Sequence, residues 1–371
     1  MLSSQQLHRY SRQILLPEFG VEGQTKLANS KVLVIGSGGL GSPVLLYLAA
    51  AGVGTIGIVD FDVVDESNLQ RQVLFTTNDI GKPKAATAAE KIKSLNPSIA
   101  VQVFNAFISS ANALEIISGF DLVVDGSDNL PTRYLVNDAC LMLNKTLIYG
   151  AIFQFEGQVS VFNLLAADGM RGPNYRDLFP QPPPPEMVPS CSEGGVLGVL
   201  PGIIGSMMAN EAIKVITGMG TTLSGRLLLF DALDFSTRYL KIHANPKAEK
   251  VTQLIDYEEF CNPKHAKEII QEVDPKTAKQ LLSDTRIQII DVREQFEFDA
   301  GNIGGIHIPL NELENRIHEI PKEKSLLIVC KSGGRSRKAA IKLKALGYSV
   351  SNLNGGLSKW KSKVDPNLNV V

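Results

Sequence analysis

The stretch Lys31-Val32-Leu33-Val34-Ile35-Gly36-Ser37-Gly38-Gly39-Leu40-Gly41 decides the reading of the first half of this chain. Its first five residues form a short apolar run rich in β-branched side chains, as a buried strand requires. The glycines Gly36, Gly38, Gly39 and Gly41 then make a turn into a helix expected over Ser42 to Ala51. A second apolar run, Thr55-Ile56-Gly57-Ile58-Val59, ends at Asp60. Strand, glycine turn, helix and a strand ending on a carboxylate form a unit in which backbone approaches phosphate at a positive helix N-terminus and Asp60 reaches ribose hydroxyls. Phe120-Asp121-Leu122-Val123-Val124-Asp125 reads as another buried strand, with Gly126-Ser127-Asp128-Asn129 at its carboxyl end. Ligands of open α/β sheets bind at that end.

Hydride transfer with a dinucleotide explains the glycine turn and nothing after it. Ser67-Asn68-Leu69-Gln70-Arg71-Gln72 and Gly81-Lys82-Pro83-Lys84 follow the second strand, and both suit a triphosphate. Asp128 is a carboxylate suited to Mg²⁺, while Arg71 and Lys84 neutralise phosphate charge as it redistributes.

The chain has 371 residues and a formal net charge of -1, enough for two cores but without the basic surplus of a nucleic-acid binder. No apolar run approaches the roughly 20 residues that span a bilayer, and the N-terminus has no leader pattern, so the expected compartment is the cytoplasm, with no membrane partner. The four cysteines, Cys140, Cys191, Cys261 and Cys330, include no Cys-x-x-Cys pair, which leaves neither a disulfide framework nor a cysteine zinc site. The polar run Lys241 to Lys250 marks a domain exit. The expected division is residues 1–242, a linker over 243–265 holding Cys261, and a second domain over 266–371. Cys140 reads as core.

With these residues on the page, the first part resembles the ubiquitin-activating-like adenylyltransferases that act on sulfur-carrier proteins in molybdopterin and thiamine biosynthesis. The matching stretches are Arg9 to Gln13, Gly36 to Gly41, Asp60-Phe61-Asp62, Ser67 to Gln72, Lys84, Asp128-Asn129 with Arg133, and Cys191 to Gly198. The resemblance implies a Rossmann-like fold and a homodimer. It implies that Gly39, Asp60, Asn68, Arg71, Lys84 and Asp128 contact ATP or its metal, with Asp62 and Asn129 in the same matched stretches. Arg12 is implied to reach the phosphates of a neighbouring subunit. It also implies a mobile loop for Cys191, which forms a thioester or resolves a disulfide. Many relatives bind structural zinc through two Cys-x-x-Cys pairs. Here Asn174 and Asp177 stand in the first place and His243 to Glu249 in the second, so structural zinc is not expected.

The second part alternates short apolar strands (Ile287 to Ile290, Ser325 to Val329, Ser349 to Leu353) with helical patterns over Asp274 to Leu282 and Ser336 to Leu346, a smaller α/β unit. It resembles rhodanese domains through Ile290 to Glu294, Gly301 to Leu310, the loop Cys330-Lys331-Ser332-Gly333-Gly334-Arg335, and Leu353 to Gly356 with Trp360. Strand, thiol, glycines and helix aim backbone N–H groups and a helix dipole at sulfur, which favours the thiolate, with Lys331, Arg335 and Arg337 adding positive potential. The Cys-x4-Arg spacing makes a smaller ring than the Cys-x5-Arg of similarly built phosphatases, and so suits a terminal sulfur better than phosphate.

Both parts on one chain point to ATP-dependent adenylation of the C-terminal glycine of a small ubiquitin-like sulfur-carrier protein ending in Gly-Gly. Sulfur transfer from a Cys330 persulfide, charged by thiosulfate or a cysteine desulfurase, follows. The alternative is a ubiquitin-like activator that keeps a carrier thioester at Cys191 for conjugation to proteins.

Overall fold

The computed structural model describes residues 2–183, 195–245, 250–261, 270–282 and 284–370. The chain divides into two compact units, Met1–Asn262 and Pro263–Val371.

In the first unit an eight-stranded sheet has the order β3-β2-β1-β4-β5-β6-β7-β8. The strands are β1 (Lys31–Ile35), β2 (Thr55–Val59), β3 (Ala100–Phe104), β4 (Leu122–Asp125), β5 (Thr146–Phe153), β6 (Glu156–Phe162), β7 (Arg226–Asp231) and β8 (Thr237–Lys241). β3 through β5 run parallel, and β6, β7 and β8 add antiparallel. β1 and β4 are buried along almost their whole length because helices cover both faces, which is why their sequences are continuous apolar runs. On one face the helices Gly41–Ala51 and Leu200–Thr217 pack Val44, Leu45 and Leu48 with Ile204 and Met208. On the other, the helix Leu130–Met142 buries Tyr134, Val136 and Ala139. Each fully buried leucine here contributes about 2 kcal/mol.

The sheet order reverses between β1 and β4, since successive strands lead away from β1 on one side and from β4 on the other. Such a switch point opens a crevice at the carboxyl ends of the strands. The turn after β1 takes its shape from two glycines. Gly36 has φ +83°, and a Cβ on Gly41 would stand 1.9 Å from the Gly36 carbonyl oxygen.

The helix Leu200–Thr217 starts with Pro201 in its first turn, where a missing N–H costs nothing. The structure departs from the expected division past residue 243. Cys261 was expected in a linker, but the helix Tyr257–Cys261 packs into the core of the first unit with Tyr257 and Cys261 both buried. Tyr257 donates to Asp138 Oδ2 at 2.7 Å, and Ser110 Oγ donates to the Ile255 carbonyl at 2.6 Å. The contact boundary falls after residue 262, near the far end of the stretch read as a linker.

The second unit is a five-stranded parallel sheet of order β11-β10-β12-β13-β9, made of β9 (Gln271–Val273), β10 (Ile287–Asp291), β11 (Ile306–His307), β12 (Ser325–Val329) and β13 (Val350–Leu353). The helix Pro275–Leu281 is capped by Asp274, whose carboxylate accepts from the Lys276 and Thr277 amides, and the helix Gly334–Ala345 follows β12. No helix among the described residues is long and apolar enough to cross a membrane.

Candidate functional site

A cleft with about 930 Å³ of open space lies at the switch point, and it gathers most of the residues singled out in the sequence. Gly36, Gly38, Gly39, Asp60, Asp62, Arg71, Lys84, Asp128 and Asn129 all line it. Asp60, at the end of β2, braces the glycine turn: its Oδ2 accepts from the Ser37 amide at 2.8 Å and the Ser37 hydroxyl at 2.7 Å. Its Oδ1 accepts from the Asp62 amide at 2.9 Å. Lys84, a buried side chain, reaches the half-exposed Asp62 carboxylate at 3.2 Å. A pair with one partner in solvent is worth at most about 1 kcal/mol, so a phosphate competes easily for that ammonium. Arg71 donates to the Ser67 carbonyl at 3.0 Å, which turns it along the cleft wall. Asp128 is exposed within the cleft.

Three predicted residues are placed elsewhere. Gly41 lies behind the cleft, in the close packing of helix against strand. Asn68 is outside the lining and caps the short turn Glu66–Asn68, its carbonyl accepting from the Asp65 amide at 3.3 Å. Arg12 is exposed on the short helix Ser11–Ile14, also outside the lining. Asn129 lines the cleft but also has a local task, since its oxygen caps the helix Leu130–Met142 by accepting from the Thr132 amide at 2.9 Å.

The cleft is short of internal partners. Gln72 Oε1, Ser127 Oγ and Arg133 Nε, all from lining residues, and Asp125 Oδ2 beside them are buried without a hydrogen bond among the described residues. Buried polar groups are nearly always paired, so these atoms, Gln72 Oε1 and Arg133 Nε above all, mark a surface completed by water or a ligand. Burial pushes the Asp125 carboxyl up from its ordinary value. For Arg133, burial opposes the charge, but Tyr149, Tyr175, Asp125 and Asp128 outweigh it and the guanidinium is held protonated. Gln72 and Arg133 stand in stretches that carry the family resemblance, and the resemblance implies no role for them. Phe107 and Ile108 were missed because β3, which leads to them, is half exposed and was not read as a strand.

In the second unit Cys330 is fully buried at the end of β12. Its sulfur accepts from the Gly333 amide at 3.2 Å and the Ser336 amide at 3.3 Å, and Ser336 Oγ lies 3.2 Å away. Gly333, at φ +97°, turns the loop so that these N–H groups converge. The Gly333 carbonyl in turn accepts from Asn352 Nδ2 at 3.2 Å. Two of the three cations expected to surround the sulfur also hold carboxylates: Arg335 clasps Glu297 while still favoured by Cys330, and Arg337 pairs with Glu272 at 3.0 Å. Backbone amides and the start of the helix Gly334–Ala345 therefore supply most of the cradle, with Lys331, Ser332 and Gly334 on the loop itself.

Cys191 lies outside the described residues. Cys140 is buried in the core as expected, and burial pushes its thiol up. Burial does the same to Cys261, with Glu258 adding to it, up to about 12. Where relatives carry zinc ligands, Asn174 and Asp177 cap the short helix Tyr175–Leu178, and Asp177 Oδ1 accepts from the Asn245 amide at 2.8 Å. Among the described residues no three His, Cys, Asp or Glu side chains are grouped to hold a metal ion.

Residues 10–252 match the ThiF family, and residues 274–363 match the rhodanese-like domain. The chain is 46% identical over 377 residues to the probable adenylyltransferase/sulfurtransferase MoeZ of Mycobacterium tuberculosis, covering 99% of this chain and 96% of that one. It is 54% identical over 265 residues to the sulfur carrier protein adenylyltransferase of Thermus thermophilus, covering 70% of this chain and 98% of that one. It is 40% identical to the adenylyltransferase and sulfurtransferase MOCS3 of Arabidopsis thaliana, covering 99% and 86%. Among solved structures, E. coli MccB with ATP shares the fold, with a TM-score of 0.56 and 24% identity over 65% of this chain and 74% of that one. A strand-ended cleft lined by Arg71, Lys84 and Asp128, and a cradled Cys330 on a separate unit, thus meet in a chain that belongs to the ThiF family and carries a rhodanese-like domain after it.

Proposed function

We propose that this enzyme adenylates the C-terminal glycine of a small ubiquitin-like sulfur-carrier protein ending in Gly-Gly and then replaces the adenylate with sulfur. The observation that carries this proposal is the pairing, on one chain, of a phosphate-suited cleft with a thiol held by three hydrogen-bonding contacts. The names of the relatives point the same way.

In the first step a carrier carboxylate oxygen attacks the α-phosphorus of ATP and pyrophosphate leaves, giving an acyl adenylate. The carboxylate is ionised at neutral pH, so no general base is required. The glycine turn and the N-terminus of the helix Gly41–Ala51 align the phosphates, and Arg71 and Lys84 offset the charge that gathers on pyrophosphate. Asp128 would hold Mg²⁺, which neutralises the departing phosphates.

In the second step a persulfide on Cys330, charged by thiosulfate or by a cysteine desulfurase's persulfide, attacks the acyl carbon. The acyl–phosphate bond breaks, AMP departs, and carrier and Cys330 are joined as an acyl disulfide. A thiolate then attacks the Cys330 sulfur, releasing the carrier thiocarboxylate and leaving a disulfide that a cellular thiol reduces. Cys191 is the internal candidate for that thiolate.

Pyrophosphate exchange into ATP tests the first step. A Gly-Gly carrier is expected to drive the exchange with the wild type, and the same carrier lacking its last glycine is expected not to. Exchange that ignores the carrier terminus would refute the assignment.

A further inference from the structure

Three sheltered arginines of this protein hold carboxylates directly. Arg176 holds Asp138 through bonds of 2.8 and 2.7 Å. Arg293 holds Asp291, and Arg335 holds Glu297, each through paired bonds as well. Arg133 makes no direct salt bridge among the described residues, although Asp125 and Asp128 favour its charge. Its guanidinium donates to the Ser127 carbonyl at 3.3 Å, rests 5.6 Å from the centre of the Tyr149 ring, and leaves Nε buried without a partner. A guanidinium with a buried Nε that has no partner, and with no direct ion pair, is open to an anion that arrives from outside. Because Arg133 lines the cleft, that anion enters there.

Position selects which anion it is. Arg71 and Lys84 follow β2, on one bank of the switch point, beside the glycine turn. Arg133 follows β4 and lies over Tyr149 of β5, on the opposite bank. A nucleotide whose phosphates rest on the glycine turn, Arg71 and Lys84 is served by the first bank. The adenylation has a second anion, the attacking carboxylate, which repels the phosphate it must approach. A planar guanidinium on the far bank matches a carboxylate bidentately and offsets that repulsion.

We propose that Arg133 binds the C-terminal carboxylate of the acceptor and holds it against the α-phosphate. The inference rests on the adenylation described above and names the residue that recognises its acceptor. It excludes acceptors that end in an amide.

The test uses the full-length protein and a short synthetic peptide ending in Gly-Gly, once with a free carboxylate and once amidated, with binding followed by calorimetry. The wild type is expected to prefer the acid about tenfold, the size of one charge-assisted contact. Arg133→Gln is expected to bind both peptides equally while keeping its affinity for a non-hydrolysable ATP analogue. Arg133→Lys, which keeps the charge without the fork, is expected to retain part of the preference and serves as the readout if the glutamine variant does not fold. No acid preference in the wild type, an undiminished preference in Arg133→Gln, or a parallel loss of analogue binding in the variants would each overturn the assignment. Absence of carrier-driven pyrophosphate exchange in the wild type would instead refute the adenylation itself.

Discussion

Arg335 and Glu297 face each other through two charge-assisted hydrogen bonds of 2.6 Å, so the arginine that closes the Cys-x4-Arg loop is neutralised within its own domain. Its work is to fix the end of the sulfur loop to the helix Gln295–Ala300. Burial alone would raise the Glu297 carboxyl, but Arg335 outweighs it and the group is held below its ordinary value. A carboxylate lowered on folding adds stability that is fully present above about pH 4.5 and is lost as pH falls through the lower folded value. Glu297→Gln is expected to cost about 3 kcal/mol at neutral pH, the low end for breaking a buried pair because Arg335 is partly exposed. Denaturant titration across pH checks this, with the wild-type advantage over the variant shrinking on acidification. An advantage that is the same at every pH would contradict it.

Ser336→Ala removes the hydroxyl 3.2 Å from the Cys330 sulfur but keeps the amide that donates to it. Sulfur transfer from thiosulfate to cyanide is expected to fall by about tenfold, the value of one lost hydrogen bond to a charged group, with the fold intact by circular dichroism. Unchanged turnover would show that the backbone amides suffice.

Gly41→Ala forces a Cβ to within 1.9 Å of the Gly36 carbonyl, and backbone cannot yield as a flexible side chain would. A loss of about 3 kcal/mol is expected, the upper range for overpacking, together with weakened ATP binding. Gly38→Ala, whose Cβ would meet only Gln72 at 3.5 Å, is the control and is expected to be far milder.

Residues 172–177 are joined to residues 243–245 by the Asp177–Asn245 hydrogen bond, with Arg176, Asp138 and Tyr257 linked beneath, in the place where the resemblance would put a zinc site. Incubation with a strong chelator is expected to leave the melting temperature of the purified protein unchanged. An equimolar zinc signal in metal analysis, or a melting temperature that falls with chelation, would contradict this.

What was legible in the sequence follows from burial. β1, β2, β4 and β12 are apolar on both faces, and the chain beyond β2, β4 and β12 carries Asp60, Asp128 and Cys330, so strands and site residues could be read together. β3 and β8 lie at the edges of their sheet with mostly exposed side chains, so Ala100–Phe104 and Thr237–Lys241 lack the continuous apolar run that marks the buried strands. The helix Tyr257–Cys261 was hidden for another reason. Its burial depends on Asp138, 119 positions away, and no local pattern reports such a partner. The neutralisation of Arg335 was equally invisible, because Glu297 lies 38 residues earlier.

The most direct test is the mass of the carrier after incubation with ATP and thiosulfate. Wild type is expected to exchange one carboxylate oxygen for sulfur, while Cys330→Ala keeps full pyrophosphate exchange and yields no thiocarboxylate. Thiocarboxylate formed by Cys330→Ala at the wild-type rate would contradict the transfer of sulfur through Cys330.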